Sequence, residues 1–470
     1  MMKDSGTKQQ ADLRSQIIGI DKLVPLIDGS MVSYVYLDNA ASTPVLAPVM
    51  DAVERFMPYY SSVHRGNGFK SRVSTVAYDR SHEIIADFIG ADKRSNTVIF
   101  GKNTTEAVNK LSYRLPLDED AVVLTTQMEH HSNDLPWRRR ANVIHIRTTK
   151  EGRLDEGEFD QKLKEYGNKI ALVAVTGASN VTGFIQPIHR LAREAHEVGA
   201  RILVDAAQLA PHRLIDMKAD DDPEHLDFVV LSAHKMYAPF GTGALIGPKQ
   251  VFLEGSPEYP GGGTVDIVTL EDVHWAGTPD RDEAGSPNVV GAVAMAAAAQ
   301  ALMDVGLENI AAHEAGLVTY SLQKLSSIPG IRIFGEKDPD KASEKVGVIP
   351  FNLDGFSHFK VEAILGFEGG IGVRSGCFCA HPYVVHLLQL SDEESHSWRD
   401  KILDGDKSEM PGLVRASFGC YNSKEDVDRL IDMLERIAEN DFVDNYELNR
   451  ASGEYSPIGY SDPLQAHFYI

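Results

Sequence analysis

Cysteine is scarce in this 470-residue chain: there are three, Cys377, Cys379 and Cys420. So few cannot form a disulfide framework, so stability must come from a buried core, and a reducing, cytoplasmic setting is expected. Positive charge is also short: Lys and Arg number 46 against 68 Asp and Glu, a formal net charge of −22. Binding to a nucleic-acid backbone needs the opposite field, so no nucleic-acid partner is expected. The opening residues MMKDSGTKQQADLRS lack the apolar stretch of a secretory signal. The longest small-apolar run, AVAMAAAAQALM at 292–303, falls short of the roughly 20 residues that cross a bilayer and reads as a buried helix. No membrane association is expected, and no internal repeat or low-complexity tract is visible.

What is present suits a large globular core. At about 150 residues per domain, the length suggests two or three domains. Short apolar runs alternate with helical patterns through the first half of the chain. They are TVIF (97–100), AVVLTT (121–126), NVIHIRT (142–148), IALVAVT (170–176), RILVDAA (201–207), FVVLSA (228–233) and ALIG (244–247). Near-continuous apolar strands separated by amphipathic helices such as 187–199 indicate a mostly parallel sheet covered on both faces, with ALIG open to either direction. The fold class expected is α/β: a large domain over 36–304 with a mostly parallel seven-stranded sheet, and a smaller α+β domain over 305–440. Residues 1–35 read as an N-terminal arm joining the small domain, and 441–470 as a C-terminal tail.

In open α/β sheets, ligands sit at the carboxyl ends of the strands. There the strand ILVD ends in Asp205, followed closely by Gln208, and FVVLS is followed by His234 and Lys235. Either residue alone is usually an ordinary strand-end or surface residue. Together they suit pyridoxal 5′-phosphate (PLP), which needs a lysine for its Schiff base and a carboxylate to keep the pyridine nitrogen protonated. After TVIF, the run Asn103-Thr104-Thr105-Glu106 opens a helical pattern, which reads either as a phosphate site or as an ordinary capped N-terminus. After the next strand, His130 offers an imidazole for stacking and proton handling.

These residues lie within a longer series of motifs: YLDNAASTP (36–44), NTTEAVN (103–109), MEHHSNDLPW (128–137), SNVTGFIQPI (179–188), VDAAQ (204–208), SAHKMYAPFGTGAL (232–245), GGGT (261–264), EAGSPN (283–288), VRSGCFCAHP (373–382) and VRASFGCYNSKEDVDRL (414–430). The series resembles the cysteine desulfurase/selenocysteine lyase branch of the class V aminotransferase-like, fold-type I PLP enzymes, and it runs over most of the chain. The resemblance implies that Lys235 carries PLP and Asp205 partners the pyridine nitrogen. It implies that His130 stacks on the ring and that Gln208 and Asn180 approach the phenolic oxygen and the substrate. Thr104, Thr105, Ser232 and His234 would hold the phosphate. Ser286, in the EAGSPN loop, would reach the phosphate of a neighbouring subunit, which implies a homodimer with shared active sites.

By the same register Cys379 is the expected nucleophile, with Cys377 two residues before it where many relatives carry histidine. Arg415 matches the arginine that clamps a substrate α-carboxylate, a planar anion suited to a guanidinium; Arg374 is expected nearby. The implied activity converts L-cysteine to L-alanine, leaving a persulfide on the enzyme for transfer to an acceptor such as a protein, or acts on selenocysteine. The alternative is another PLP-dependent amino-acid C–S lyase, epimerase or aminotransferase, since these share the cofactor set. No metal is expected: Cys377-x-Cys379-x-His381 lacks the usual C-x₂-C spacing and a second pair.

The chain departs from the pattern between Cys379 and Arg415, which are 36 positions apart, farther than the resemblance leads one to expect. The extra segment, 383–412, carries seven acids, three basic residues and a tryptophan. It reads as a helix followed by a solvated loop, serving as a lid or docking surface or as a tolerated surface insertion. The N-terminal segment and the aromatic-rich tail read as arms that pack on the core or onto a partner subunit.

Overall fold

Seven short apolar runs pair into one sheet: β1 (Asn96–Gly101), β2 (Val122–Thr126), β3 (Asn142–Ile146), β4 (Ile170–Thr176), β5 (Arg201–Asp205), β6 (Phe228–Ser232) and β7 (Gly243–Pro248). The computed structural model describes residues 13–64, 66–118, 120–461 and 463–468. The first twelve residues of the expected arm, and 462, 469 and 470 of the tail, lie outside the described residues. The strand order is β1-β7-β6-β5-β4-β2-β3. Every neighbouring pair is parallel except those made by β7, which runs against both β1 and β6. The fold is the expected α/β architecture, and ALIG proves to be the antiparallel member.

Strand periodicity explains why these runs carry no polar face. In β6, Val229 and Leu231 enter one apolar layer while Phe228 and Val230 enter another on the opposite side. All four are fully buried, each contributing about 2 kcal/mol. The alanine-rich run forms the helix Val289–Val305, which packs closely on the helix Phe69–Phe88. Small side chains at Ala292, Ala294, Ala298 and Ala299 let the helix approach so far that all four are completely buried. Among the described residues no single helix is long and apolar enough to cross a membrane.

The smaller α+β part is built on an antiparallel sheet of β8 (Ile331–Ile333), β9 (Val348–Leu353), β10 (Arg374–Gly376) and β11 (Leu413–Ser417), ordered β8-β9-β11-β10. Helices Leu307–Leu325, His358–Gly369 and Lys424–Ala438 cover it. The run IGVRS does not form one strand: Ile371 and Gly372 pair in parallel with Val35 and Tyr36, and only Arg374–Gly376 joins the sheet. The arm is tied to this side, with the Ile27 N–H donating to Phe367 O at 2.9 Å. One stretch expected with the small domain packs elsewhere. Phe378, Tyr383, Val384 and Leu387 lie in the core of the large sheet, because Tyr383 donates to Gly152 O at 2.5 Å and meets Thr182 Oγ1 at 2.9 Å.

Beyond Leu387 the extra segment has more structure than the expected loop: a second helix, Asp392–Leu403, with no buried residue. Ser391 and Glu394 close a capping box at its start, which stabilises a helix that has no core contact. The tail strands Tyr446–Leu448 and Tyr455–Pro457 form a hairpin against the helix His358–Gly369 of the same chain.

Backbones come closest where β7 passes under the turn that ends β1. A Cβ on Gly243 would sit 2.6 Å from Asn103 Cα and 2.6 Å from Leu231 O. Gly243→Ala is expected to cost about 2 kcal/mol by overpacking, seen as a lowered melting temperature in thermal denaturation. An unchanged melting temperature would mean that the turn yields freely.

Candidate active site

Three strand ends and one helix start meet at a cavity of about 480 Å³. Asn103 caps the helix Thr104–Arg114, accepting the Glu106 N–H on its side chain. The Thr104 N–H donates to Ser232 Oγ at 2.9 Å, and Ser232 Oγ donates to Thr104 Oγ1 at 2.9 Å. Thr105 Oγ1 meets Ser132 Oγ at 2.6 Å. Hydroxyls and a helix N-terminus are thus gathered at one spot with His234, a donor set suited to a phosphate. The short turn Ala233–Lys235 after β6 is anchored by Thr43, whose N–H donates to His234 O at 2.8 Å.

Lys235 is half-buried in the cavity wall, with Nζ donating to Gln208 Oε1 at 3.3 Å. Burial pushes its amine down to about 8, although Asp205 pulls the other way. The buried Asp205 carboxyl accepts the Ala207 N–H at 3.0 Å, and burial pushes it above the usual carboxylate range. Such a carboxyl gains from a cationic N–H partner, and a protonated pyridine supplies one. His130 is held by the Ser132 N–H, 3.1 Å from Nδ1. Burial first, then the Lys235 charge, lowers it to about 3. Its imidazole is therefore neutral at pH 7, with the proton on Nε2. The aldehyde, ring nitrogen and phosphate of PLP each find a matching group here, so these residues fit the cofactor.

The far wall comes from β11 and the loop after β10. Arg415 is buried, donating to Asn180 O at 2.9 Å and to Asp38 Oδ1 at 2.8 Å, with its guanidinium 4.6 Å from the Phe378 ring centroid. Its Nε has no hydrogen-bond partner among the described residues, which leaves a donor for an incoming anion. Arg374, half-exposed at the cavity, lies 3.7 Å from Asp38 Oδ2. Phe378 and Cys379 both adopt left-handed backbone, with φ of 51° and 55°. Such conformations cost about 1 kcal/mol each or more and are held by two bonds: Asn180 Nδ2 to Phe378 O at 2.7 Å, and the His131 N–H to Cys379 O at 2.8 Å.

That turn separates the thiols. Cys377 and Cys379 both border the cavity, but Cys379 is exposed whereas Cys377 is buried, as is Cys420. Cys377 Sγ donates to Pro411 O at 3.0 Å, and burial pushes its thiol up to about 12. Burial likewise pushes Cys420 up to about 11.

Of the residues singled out in the sequence, Lys235, Asp205, Gln208, Thr104, Thr105, His130, Asn180, Ser232, His234, Cys379, Arg374 and Arg415 all line this one cavity. Ser286 does not; it lines a separate pocket with Thr242 and Asn288. Several residues that line or support the wall were not singled out in the sequence, although two of them lie inside its motifs. Asp38 anchors both arginines, and His381 stacks on His131 with ring centroids 4.9 Å apart and Nδ1 3.1 Å from Nε2. Lys407 and Met410 of the extra segment, and Ser452 of the tail, also reach the cavity. The Lys407 N–H donates to Arg450 O at 2.7 Å, tying loop to tail. The extra segment is therefore part of the wall, while its helix Asp392–Leu403 stays in solvent.

Comparison with known proteins gives the same assignment. Residues 35–430 match the family model described as aminotransferase class-V. The chain is 37% identical over 422 residues to a cysteine desulfurase of Haloferax volcanii, covering 88% of this chain and 91% of that one. It is 34% identical over 431 residues to a probable cysteine desulfurase of Halalkalibacterium halodurans, covering 89% and 97%. Among solved structures, the apo cysteine desulfurase from Thermococcus onnurineus superposes with a TM-score of 0.77 at 30% identity, over 91% of this chain and 98% of that one. The Escherichia coli cysteine desulfurase CsdA gives 0.73 at 27% identity, over 92% and 99%.

Alkylation tests the thiol geometry directly. Brief iodoacetamide treatment of the folded protein at pH 8, followed by peptide mapping, is expected to modify Cys379 and to spare Cys377 and Cys420, which unfolding would expose. Labelling of Cys377 at the same rate would contradict its burial.

Proposed function

The chain belongs to the aminotransferase class-V family, and from that premise we propose that it is a PLP-dependent cysteine desulfurase working in the cytoplasm. L-Cysteine and the Cys379 thiol become L-alanine and a Cys379 persulfide: the substrate C–S bond breaks, an S–S bond forms, and the atoms balance with no further reactant. The observation that carries this reading is that the one exposed cysteine shares a cavity with Lys235, Asp205 and Arg415. The printed names of the relatives support it.

When bound, PLP supplies an aldehyde that captures amino groups and a ring that accepts electrons released at the substrate Cα. Lys235 provides the amine for the aldehyde, and at about 8 its Nζ takes up or gives a proton near neutral pH at little cost. Asp205 would hold the ring N–H, and neutral His130 would lie against the ring. Gln208 and Asn180 would bond the phenolic oxygen and the substrate, and Thr104, Thr105, Ser232 and His234 would hold the phosphate. Arg415 takes the substrate carboxylate with the donor that Asp38 and Asn180 leave free, and Arg374 adds a second cation at the mouth. Cys377, protonated up to about 12 and turned toward Pro411, is no nucleophile. The persulfide then passes to an acceptor thiol.

The proposal includes a homodimer. Ser286 and its pocket lie apart from the cavity of their own chain, and a neighbour's phosphate site would give that hydroxyl its use. Sedimentation of the holoenzyme is expected to give twice the 51.6 kDa chain mass; a monomer that retains full activity would sink the shared-site arrangement.

Incubation of the holoenzyme with L-cysteine and a reductant is expected to give alanine and sulfide in equal amounts. Cys379→Ala should lose at least about 100-fold in rate while keeping the visible absorbance of the bound cofactor, Lys235→Ala should lose that absorbance, and Cys377→Ala should stay within a few-fold of the parent. Pyruvate and ammonia in place of alanine would indicate a lyase and overturn the reading.

A further inference from the structure

At the end of the seven-stranded sheet opposite Lys235, three side chains converge that the reaction does not use. His196 lies at the end of the helix Ile188–Glu197, just before β5, and His225 and Asp227 lead into β6. Asp227 Oδ2 accepts the Ile202 N–H at 2.8 Å. His196 Nε2 stands 2.9 Å from the same oxygen, and His225 Nε2 stands 3.7 Å from Oδ1. The two rings lie side by side, centroids 4.3 Å apart and 21° from parallel.

The outer nitrogens decide what this cluster needs. His196 Nδ1 is 2.8 Å from Pro223 O, and His225 Nδ1 is 2.7 Å from Asp222 O. A carbonyl only accepts, so both Nδ1 atoms carry hydrogen. The other nitrogen of each ring, Nε2, faces the Asp227 carboxylate. Two ring nitrogens and a carboxylate oxygen thus converge with their second-ring N–H groups already spoken for, the donor set of a divalent cation.

The surroundings favour the cation. Metal-bound histidines usually donate the second ring N–H to a carbonyl or carboxylate, and both do so here. The carboxylate is oriented by a backbone N–H, and the rings are half-buried, leaving one side open to water. The nearby Glu224 is already paired with Arg193 and Lys218, so it does not compete. We propose that His196, His225 and Asp227 bind one divalent transition ion of the zinc class, with water completing the coordination. The three donor atoms lie within 4.8 Å of one another, and bonds of about 2.1 Å require the two stacked rings to turn toward a common point. The ion would clamp the end of the helix to the starts of β5 and β6, a stabilising role that stands independently of the desulfurase reading.

The test uses the full-length holoenzyme carrying Cys379→Ser, which removes the exposed thiol as a competing ligand, after treatment with a chelator. Zinc titrated by calorimetry is expected to bind once per chain and to raise the melting temperature. Cobalt at the same site should give visible d–d absorbance that zinc displaces. His225→Ala, and separately the milder His196→Gln, should each weaken zinc binding by about 100-fold or more. Absence of binding tighter than about 1 mM in the parent, or a single site that survives both histidine changes, would overturn the proposal.

Discussion

Everything chemical in this molecule depends on keeping one amine and one carboxyl out of water at the same spot. Lys235 and Asp205 close adjacent parallel strands, and burial works against the charge on each, lowering the lysine to about 8 and raising the acid. Neither would persist there without the seven-stranded sheet, whose two apolar layers exclude water from the strands. The parallel direction of β5 and β6 puts both residues at the same edge, and the reversed β7 brings its backbone up to the turn that starts the helix Thr104–Arg114. The meeting of the amine and the acid is thus a product of sheet topology.

Around that pair, the remaining groups are held by bonds that fix their protonation as well as their position. Burial and the Lys235 charge leave His130 neutral, and the Ser132 N–H on Nδ1 sets its tautomer. Asp38, placed by the strand pairing of Val35 and Tyr36 with Ile371 and Gly372, neutralises part of Arg415 yet leaves one donor unpaired. The two left-handed residues at 378 and 379 do the same for the thiols: both cysteines border the cavity, but the turn leaves Cys377 buried and Cys379 exposed. Backbone strain at this point is compensated by the bonds from Asn180 and His131, both within the motifs that build the rest of the site.

The extra segment and the tail show how a wall can be added without disturbing this arrangement. The helix Asp392–Leu403 remains in solvent, supported by its own capping box, while the loop after it returns to β11 past the cavity mouth. Tying that loop to the tail backbone brings Lys407 and Ser452 to the entrance. The entrance thus differs in composition from the floor, which the motif residues make.

The sequence alone determined the sheet and its chemistry at the level of residue type. Seven apolar runs marked the seven strands to within about two residues, because strands buried on both faces leave no room for polar positions. Strand-end Asp205 and Lys235 suited the cofactor as a pair, because it needs both an amine for its aldehyde and an acid for its ring nitrogen, and the motif series resembling the class V enzymes identified it. What only the tertiary structure decided are contacts between segments far apart in the chain. These are the direction of β7, the split of 371–376 between two sheets, the return of Phe378–Leu387 to the large core, and Asp38 bridging to Arg415. The histidine pair with Asp227 belongs here too, since His196 lies on a helix and the other two precede a strand. Pattern reports the environment of a residue along its own element. Which partner occupies that environment is set by packing across elements, and local spacing carries no record of it.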